Sequence, residues 1–174
     1  MKVILIMILL GSGWADSVLA ITKPTLKLSS VIESACLRYN AIDCALVHAI
    51  VAQESGYNEK AYNNEKSGSY GLMMVQCTTA RLMGLKYGCD QLFHPLINLR
   101  FGIKYLNHQI VRYDGSIKEA IAAYNAGSAI VCEFHNPGKC FPNEFVNEEY
   151  VWRVSRRYGW LKLKEEYPTL SSIK

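Results

Sequence analysis

The chain has 174 residues, 50% of them apolar and 20% charged, with a formal net charge of +4. That is enough chain for one well-buried domain and too little for two ordinary ones, and the apolar share excludes disorder as the dominant state. The longest apolar run, Val3 to Leu10, falls short of the roughly 18 to 20 residues that span a bilayer. The mild positive charge suits an anionic surface such as a cell wall, while the lack of any Lys/Arg block argues against nucleic acid as a partner.

Lys2, the apolar run, a Gly11-Ser12-Gly13 break and Val18-Leu19-Ala20 with a small last residue predict an export signal over residues 1–20, cleaved after Ala20. The remainder then carries no membrane anchor. Leu28, Ile32, Ala35 and Tyr39 recur at helical spacing, with Ser30 and Glu33 offering a capping box. A second helix opens at Asp43 and is apolar on every side from Leu46 to Ala52, as a helix in the middle of a domain must be, until Gly56 stops it. The Asn, Gly and Ser of segment 58–70 predict a loop or short hairpin. A third helix is expected from Gly71 or Leu72 to Gly84.

After Pro95, Leu99, Ile103, Leu106 and Ile110 mark one stripe of a fourth helix, with Arg100, Lys104 and Gln109 off it, ending at Asp114-Gly115. Ser116 and Glu119 suggest a capping box for a short fifth helix that stops at Gly127. Asn147 can cap a last helix running to Gly159. The fold class is therefore mainly α, a single helical domain over residues 21–161, with 162–174 as a loose tail.

All six cysteines, Cys36, Cys44, Cys77, Cys89, Cys132 and Cys140, follow the export signal, which points to an oxidising compartment. Sequence does not choose among their connectivities. Sequential pairing (Cys36 with Cys44, Cys77 with Cys89, Cys132 with Cys140) closes short local loops and is the expected pattern. No C-x-x-C or H-x-x-x-H spacing supports a metal site, and none is expected. The four histidines are scattered; His48 on the apolar helix reads as a hydrogen-bonded core residue, and His94 before Pro95 as a loop residue.

Glu54 stands at the carbonyl end of the most apolar helix. Burial and the helix dipole both disfavour its carboxylate, so both raise its pKa and keep it protonated near neutrality, as a general acid requires. Three other segments suit sugar recognition. Gly68-Ser69-Tyr70-Gly71-Leu72-Met73 is a glycine-flanked turn whose backbone can approach a ligand; Tyr124-Asn125 sets an aromatic ring and an amide at a helix end; Tyr150 adds a phenol. Taken singly, these are a turn, a helix cap and a core aromatic.

In order, Gln53-Glu54-Ser55-Gly56, Gly71-Leu72-Met73, Ala122-Ala123-Tyr124-Asn125-Ala126-Gly127 and Glu149-Tyr150-Val151 resemble the lytic transglycosylases of the soluble SLT type, relatives of goose-type lysozyme. The resemblance implies an α+β lysozyme-like fold and a peptidoglycan-cleaving enzyme with Glu54 as sole acid and base and no cofactor. It places Ser55, Ser69, Gly71, Leu72, Met73, Gln76, Tyr124, Asn125 and Tyr150 around the glycan. The family has Gln directly after Gly-Leu-Met, whereas this chain has Met74 there and a glutamine only at Gln76. The chain is further similar to small one-domain members that accompany secretion or conjugation machines, which implies a periplasmic or secreted monomer whose partners are glycan strands and such an apparatus. A hydrolytic goose-type lysozyme and a non-catalytic peptidoglycan-binding module are the competing readings. Glu59 and Glu65 are the nearest carboxylates in sequence that could complete a hydrolytic pair, and they sit in a polar loop.

Overall fold

The computed structural model describes residues 23–64, 68–132 and 144–166. Within them, six helices accompany a three-stranded antiparallel sheet of two-residue strands, so the mainly helical class holds. The expected export signal, Glu65 and Cys140 lie outside the described residues. No described helix is long and apolar enough to cross a membrane.

Helix α1 (Leu26–Arg38) starts earlier than the Ser30–Glu33 pattern suggested. Thr25 is its N-cap, accepting from the Leu28 amide at 3.2 Å, so Ser30 and Glu33 fall inside the helix and cap nothing. Asp43 caps α2 (Cys44–Glu54) as expected, and every residue from Ala45 to Ala52 is buried. Apolar side chains all round the helix let neighbours cover it from every direction. The imidazole of His48 sits 2.9 Å from Oε1 of Glu33, which satisfies a polar group in that apolar setting.

The hairpin expected over 58–70 is present as β1 (Tyr62–Asn63) and β2 (Ser69–Tyr70), and β3 (Val75–Gln76) adds a third strand. Ser69 pairs with Gln76 and Tyr70 with Val75. Directly opposed residues share a face, so Ser69 and Gln76 lie on one face while Val75, 3% exposed, turns the other towards the core. On that core side Tyr70 meets the ring of Phe93 edge-on at 5.2 Å. The third helix does not begin at Gly71: residues 71–74 are a turn, and α3 (Cys77–Leu82) follows β3. Gly71 at φ 65° and Met74 at φ 44° are left-handed, which no right-handed helix through them allows.

A 3-10 turn (Cys89–Phe93) leads to α4 (Pro95–Arg112), whose stripe Leu99, Ile103, Leu106 and Ile110 is buried as expected. Gln109 is also buried, at 1% exposure, contrary to its place off the stripe, because α5 covers that side as well. Helix α5 (Ile117–Ala126) begins after Ser116 without the expected side-chain cap and ends at Gly127, whose φ of 82° is the left-handed geometry that terminates helices. Helix α6 (Glu148–Glu166) continues through Gly159, so residues 162–166, expected as loose tail, are helical. Its Val151 and Val154 lock it onto the core, while Tyr158 donates to Asp43 at 2.9 Å and Lys162 pairs with the same carboxylate at 3.6 Å.

Cys36 is bonded to Cys44 and Cys77 to Cys89. The third expected pair ends at Cys140, outside the described residues. Glu33, Cys44 and His48 bring potential metal-ligand atoms within 4.8 Å of one another, but the Cys44 sulfur is held in its disulfide.

Candidate active site

Glu54 ends α2 and Tyr150 stands in the first turn of α6, and the Tyr150 hydroxyl donates to Glu54 Oε1 at 2.6 Å. Burial pushes the Glu54 carboxyl from 4.5 up to about 7, and the hydrogen bond from Tyr150 partly opposes that. The direction matches the expectation from sequence; the Tyr150 bond is a further, opposing influence. A carboxyl that titrates near neutrality can both give and take a proton there. Tyr124 is the second phenol near the acid: burial and the negative charge of Glu54 hold it well above the usual tyrosine range, and the same causes act on Tyr150. Phenols thus remain neutral donors around Glu54.

Ser55 joins the acid to the turn. Its Oγ donates to the Leu72 carbonyl at 2.8 Å and lies 3.2 Å from the Val51 carbonyl. The Gly71-Leu72-Met73 turn is therefore stitched to the residue next to Glu54. Leu72 and Met73 are themselves fully buried and Gly71 is buried beside them, so within the turn only Met74 is partly exposed. Tyr124 reaches the same turn, its hydroxyl donating to the Met73 carbonyl at 2.9 Å.

The residue that holds the turn open was missed in the sequence. Asn98, fully buried on α4, accepts from the Met73 amide at 2.8 Å and donates to the carbonyls of Tyr70 (2.6 Å) and Leu92 (2.8 Å). Those bonds satisfy backbone groups of Tyr70, Met73 and Leu92. Gly71 must be glycine: φ is +65°, and a Cβ would stand 2.5 Å from Asn98 Nδ2 and 2.6 Å from the Leu92 carbonyl. Two further residues of α4 serve the same region. Gly102 leaves room for the Met73 side chain, and the Tyr105 ring lies 5.3 Å from that of Tyr124. A signal existed, since Asn98, Gly102, Tyr105 and Gln109 recur at steps of four, three and four beside the apolar stripe.

Asn125 is exposed at the end of α5, and its Oδ1 accepts from Asn147 Nδ2 at 3.0 Å. Asn147 also donates to the Ala122 carbonyl at 3.0 Å, tying the entry of α6 to α5. Ser69 and Gln76 are partly exposed partners on the outer face of the sheet, and Met74, where the family has Gln, has a φ of 44°. Glu54, Ser55, the turn, Tyr124 and Tyr150 thus form one connected cluster, which Asn125 joins through α5 and Ser69 and Gln76 through the sheet.

An acid at the end of a buried helix, bridged by a tyrosine from the last helix in a mainly helical domain with one short sheet, fits the lysozyme-like fold class. The Transglycosylase SLT domain model matches residues 31–136. The chain belongs to the Transglycosylase SLT domain family. Protein IpgF of Shigella flexneri is 38% identical over 96 residues, 53% of this chain and 62% of that protein. Membrane-bound lytic murein transglycosylase F of Shewanella sediminis (strain HAW-EB3) is 36% identical over 94 residues, 51% of this chain and 18% of that one. The chain thus spans less than two thirds of the length of these relatives. An inactive mutant of the lytic transglycosylase Slt from Pseudomonas aeruginosa superposes with a TM-score of 0.60 at 23% identity, covering 79% of this chain and 24% of that one. The 70 kDa soluble lytic transglycosylase of Escherichia coli gives 0.50 at 24% identity, over 75% and 22% of the two chains. These likenesses show the fold.

Proposed function

We propose that the chain is a peptidoglycan lytic transglycosylase that cleaves the β-1,4 bond between N-acetylmuramic acid and N-acetylglucosamine and leaves a 1,6-anhydromuramic end. The observation that carries this is the Glu54–Tyr150 pair: a buried carboxyl titrating at about 7 whose interacting neighbours are phenols. An ordinary glycosidase needs a second carboxylate as nucleophile or as base for water. Among the described residues no second carboxylate is hydrogen-bonded to Glu54 or its phenols, and on this reading the substrate itself supplies the nucleophile.

Protonated Glu54 gives its proton to the glycosidic oxygen, which leaves as the 4-hydroxyl of N-acetylglucosamine. The muramic N-acetyl oxygen bonds to the anomeric carbon as that bond breaks. Glu54, now a carboxylate, takes the proton of the muramic 6-hydroxyl as its oxygen attacks the anomeric carbon and displaces the N-acetyl oxygen. The 1,6-anhydro ring closes and Glu54 is again protonated, so no water is consumed. Tyr150 holds the carboxylate oriented between the two proton transfers, which is when its hydrogen bond is strongest. Ser69, Gln76 and Asn125 are the polar side chains this reading assigns to the sugar, Gln76 standing in for the amide that Met74 lacks, while the Gly71–Met73 turn shapes the wall beside Glu54.

The same reading makes the protein an exported one, acting in the periplasm or outside the cell on glycan strands as a monomer, alongside an envelope-spanning secretion or conjugation apparatus. Its support is the sequence resemblance, together with two disulfides that fit an oxidising compartment. Digestion of purified sacculi followed by mass spectrometry tests the reaction. Products lighter by one water than hydrolysed ends are expected; reducing ends from the pure enzyme identify a hydrolase, and intact sacculi a binding module.

A further inference from the structure

We propose that Arg157 forms a subsite for the carboxylates carried by the peptide stems of peptidoglycan, on the flank of Glu54 away from the Gly71–Met73 turn. The proposal rests on the reading of the substrate given above and adds to it a residue that selects stem-bearing strands.

Gln53 and Ser55 flank the acid and project about 200° apart around the helix axis. Ser55 is held from one side by the Leu72 carbonyl at 2.8 Å; Gln53 is held from the other, its Oε1 accepting from the Arg157 guanidinium at 3.1 Å. A glycan strand crossing Glu54 between those flanks passes from the turn towards Arg157. On α6, Arg157 follows Tyr150 by two turns on the same stripe, so the helix that orients the acid also presents the cation.

Arg157 is half-buried, and among the described residues no carboxylate lies within 4.0 Å of it. Other cations near α6 are placed differently: Arg153 pairs with Glu149, Lys118 with Glu148, and Lys162 with Asp43 and Glu165, while Arg156 and Lys164 lie over the Trp152 and Trp160 rings. The partner Arg157 does have is the neutral Gln53 amide, and its charge is felt at the Tyr57 phenol, which it pulls down against burial. A planar guanidinium hydrogen-bonded to a neutral amide, with no carboxylate partner among the described residues, is well suited to a carboxylate. A purely structural role is the alternative, because α2 has no basic residue in its last turn and Arg157 could serve the carbonyl end of that helix.

The test compares wild type, R157Q and R157K on glycan strands that keep their stems and on the same strands stripped of stems by an amidase. Equilibrium binding of both strands to E54Q and to E54Q/R157Q is measured in parallel. We expect R157Q to lower the stem-bearing to stem-free ratio of kcat/KM about tenfold, through KM, with the same fall in the binding ratio and partial recovery in R157K. Unchanged ratios, or an equal loss on both strands accompanied by a lower Tm, overturn the subsite. If wild type cuts neither strand, the transglycosylase reading fails by itself, and the binding ratio still decides the subsite.

Discussion

The hydroxyl of Tyr150 donates a 2.6 Å hydrogen bond to Glu54 Oε1 across 96 positions of sequence, the contact by which the last helix completes the site. Burial raises the acid and this bond lowers it, so the two residues together set the pH at which Glu54 can act.

Removing the bond should therefore move the acid upward. In Y150F the alkaline limb of the kcat/KM profile is expected to shift to higher pH, because the influence lost is the one that lowers the Glu54 pKa. The step that needs a well-held carboxylate should slow, with kcat down on the order of tenfold. Rates across a pH series check both effects, and an unmoved limb would mean that the bond does not tune the acid.

In the wild type, kcat/KM should fall as pH rises through about 7, where Glu54 loses the proton it must donate. E54Q should lose at least about a thousandfold in rate while still binding glycan, since the amide keeps the shape and cannot transfer the proton. Residual cleavage close to wild type would place the acid elsewhere.

The same substitution should make the fold more stable. The folded-state pKa of Glu54 is about 7 against 4.5 for an unburied carboxyl, so between those values the unfolded chain ionises while the folded one stays protonated. Wild-type stability therefore falls as pH rises from 4.5 to 7 and then levels off. E54Q lacks this penalty and should exceed wild type by about 3 kcal/mol above pH 7, with the difference vanishing below pH 4.5. Urea unfolding at several pH values measures it.

Asn98 should matter to both fold and activity. N98A leaves the Met73 amide and the Tyr70 and Leu92 carbonyls without their buried partner, a loss of about 3 kcal/mol or more. Thermal unfolding should drop on the order of 10 °C, and activity should fall further than stability alone explains, because the turn beside Ser55 loses its shape. A Tm within a degree or two of wild type would show that the turn holds itself.

Replacing both Cys36 and Cys44 by Ser should cost about 2–3 kcal/mol, the unfolded-chain entropy of a loop of that size. Denaturant midpoints for the oxidised wild type and the double variant provide the comparison.

Much of this protein is written locally. The run Leu46 to Ala52, apolar but for His48, marks a central helix, Asp43 can cap it, and Gly127 can end α5, because each depends on neighbours within a turn or two of the chain. Glu54 was legible as an acid with a raised pKa for the same reason: its helix and its apolar surroundings are sequence-near. Where sequence misled, a distant partner had replaced the local one. Asn98, Ser55 and Tyr124 bind the backbone of residues 70–73 where a helix was expected and a turn is found, α5 buries Gln109 away from its stripe, and the core grip of Val151 and Val154 lies on a helix that runs on past Gly159. The Tyr150–Glu54 and Arg157–Gln53 contacts belong to the same kind, for they join helices separated by most of the chain. Periodicity and capping report energies that act within a few residues, whereas the site arises from hydrogen bonds and burial between elements, and these exist only once the helices have packed.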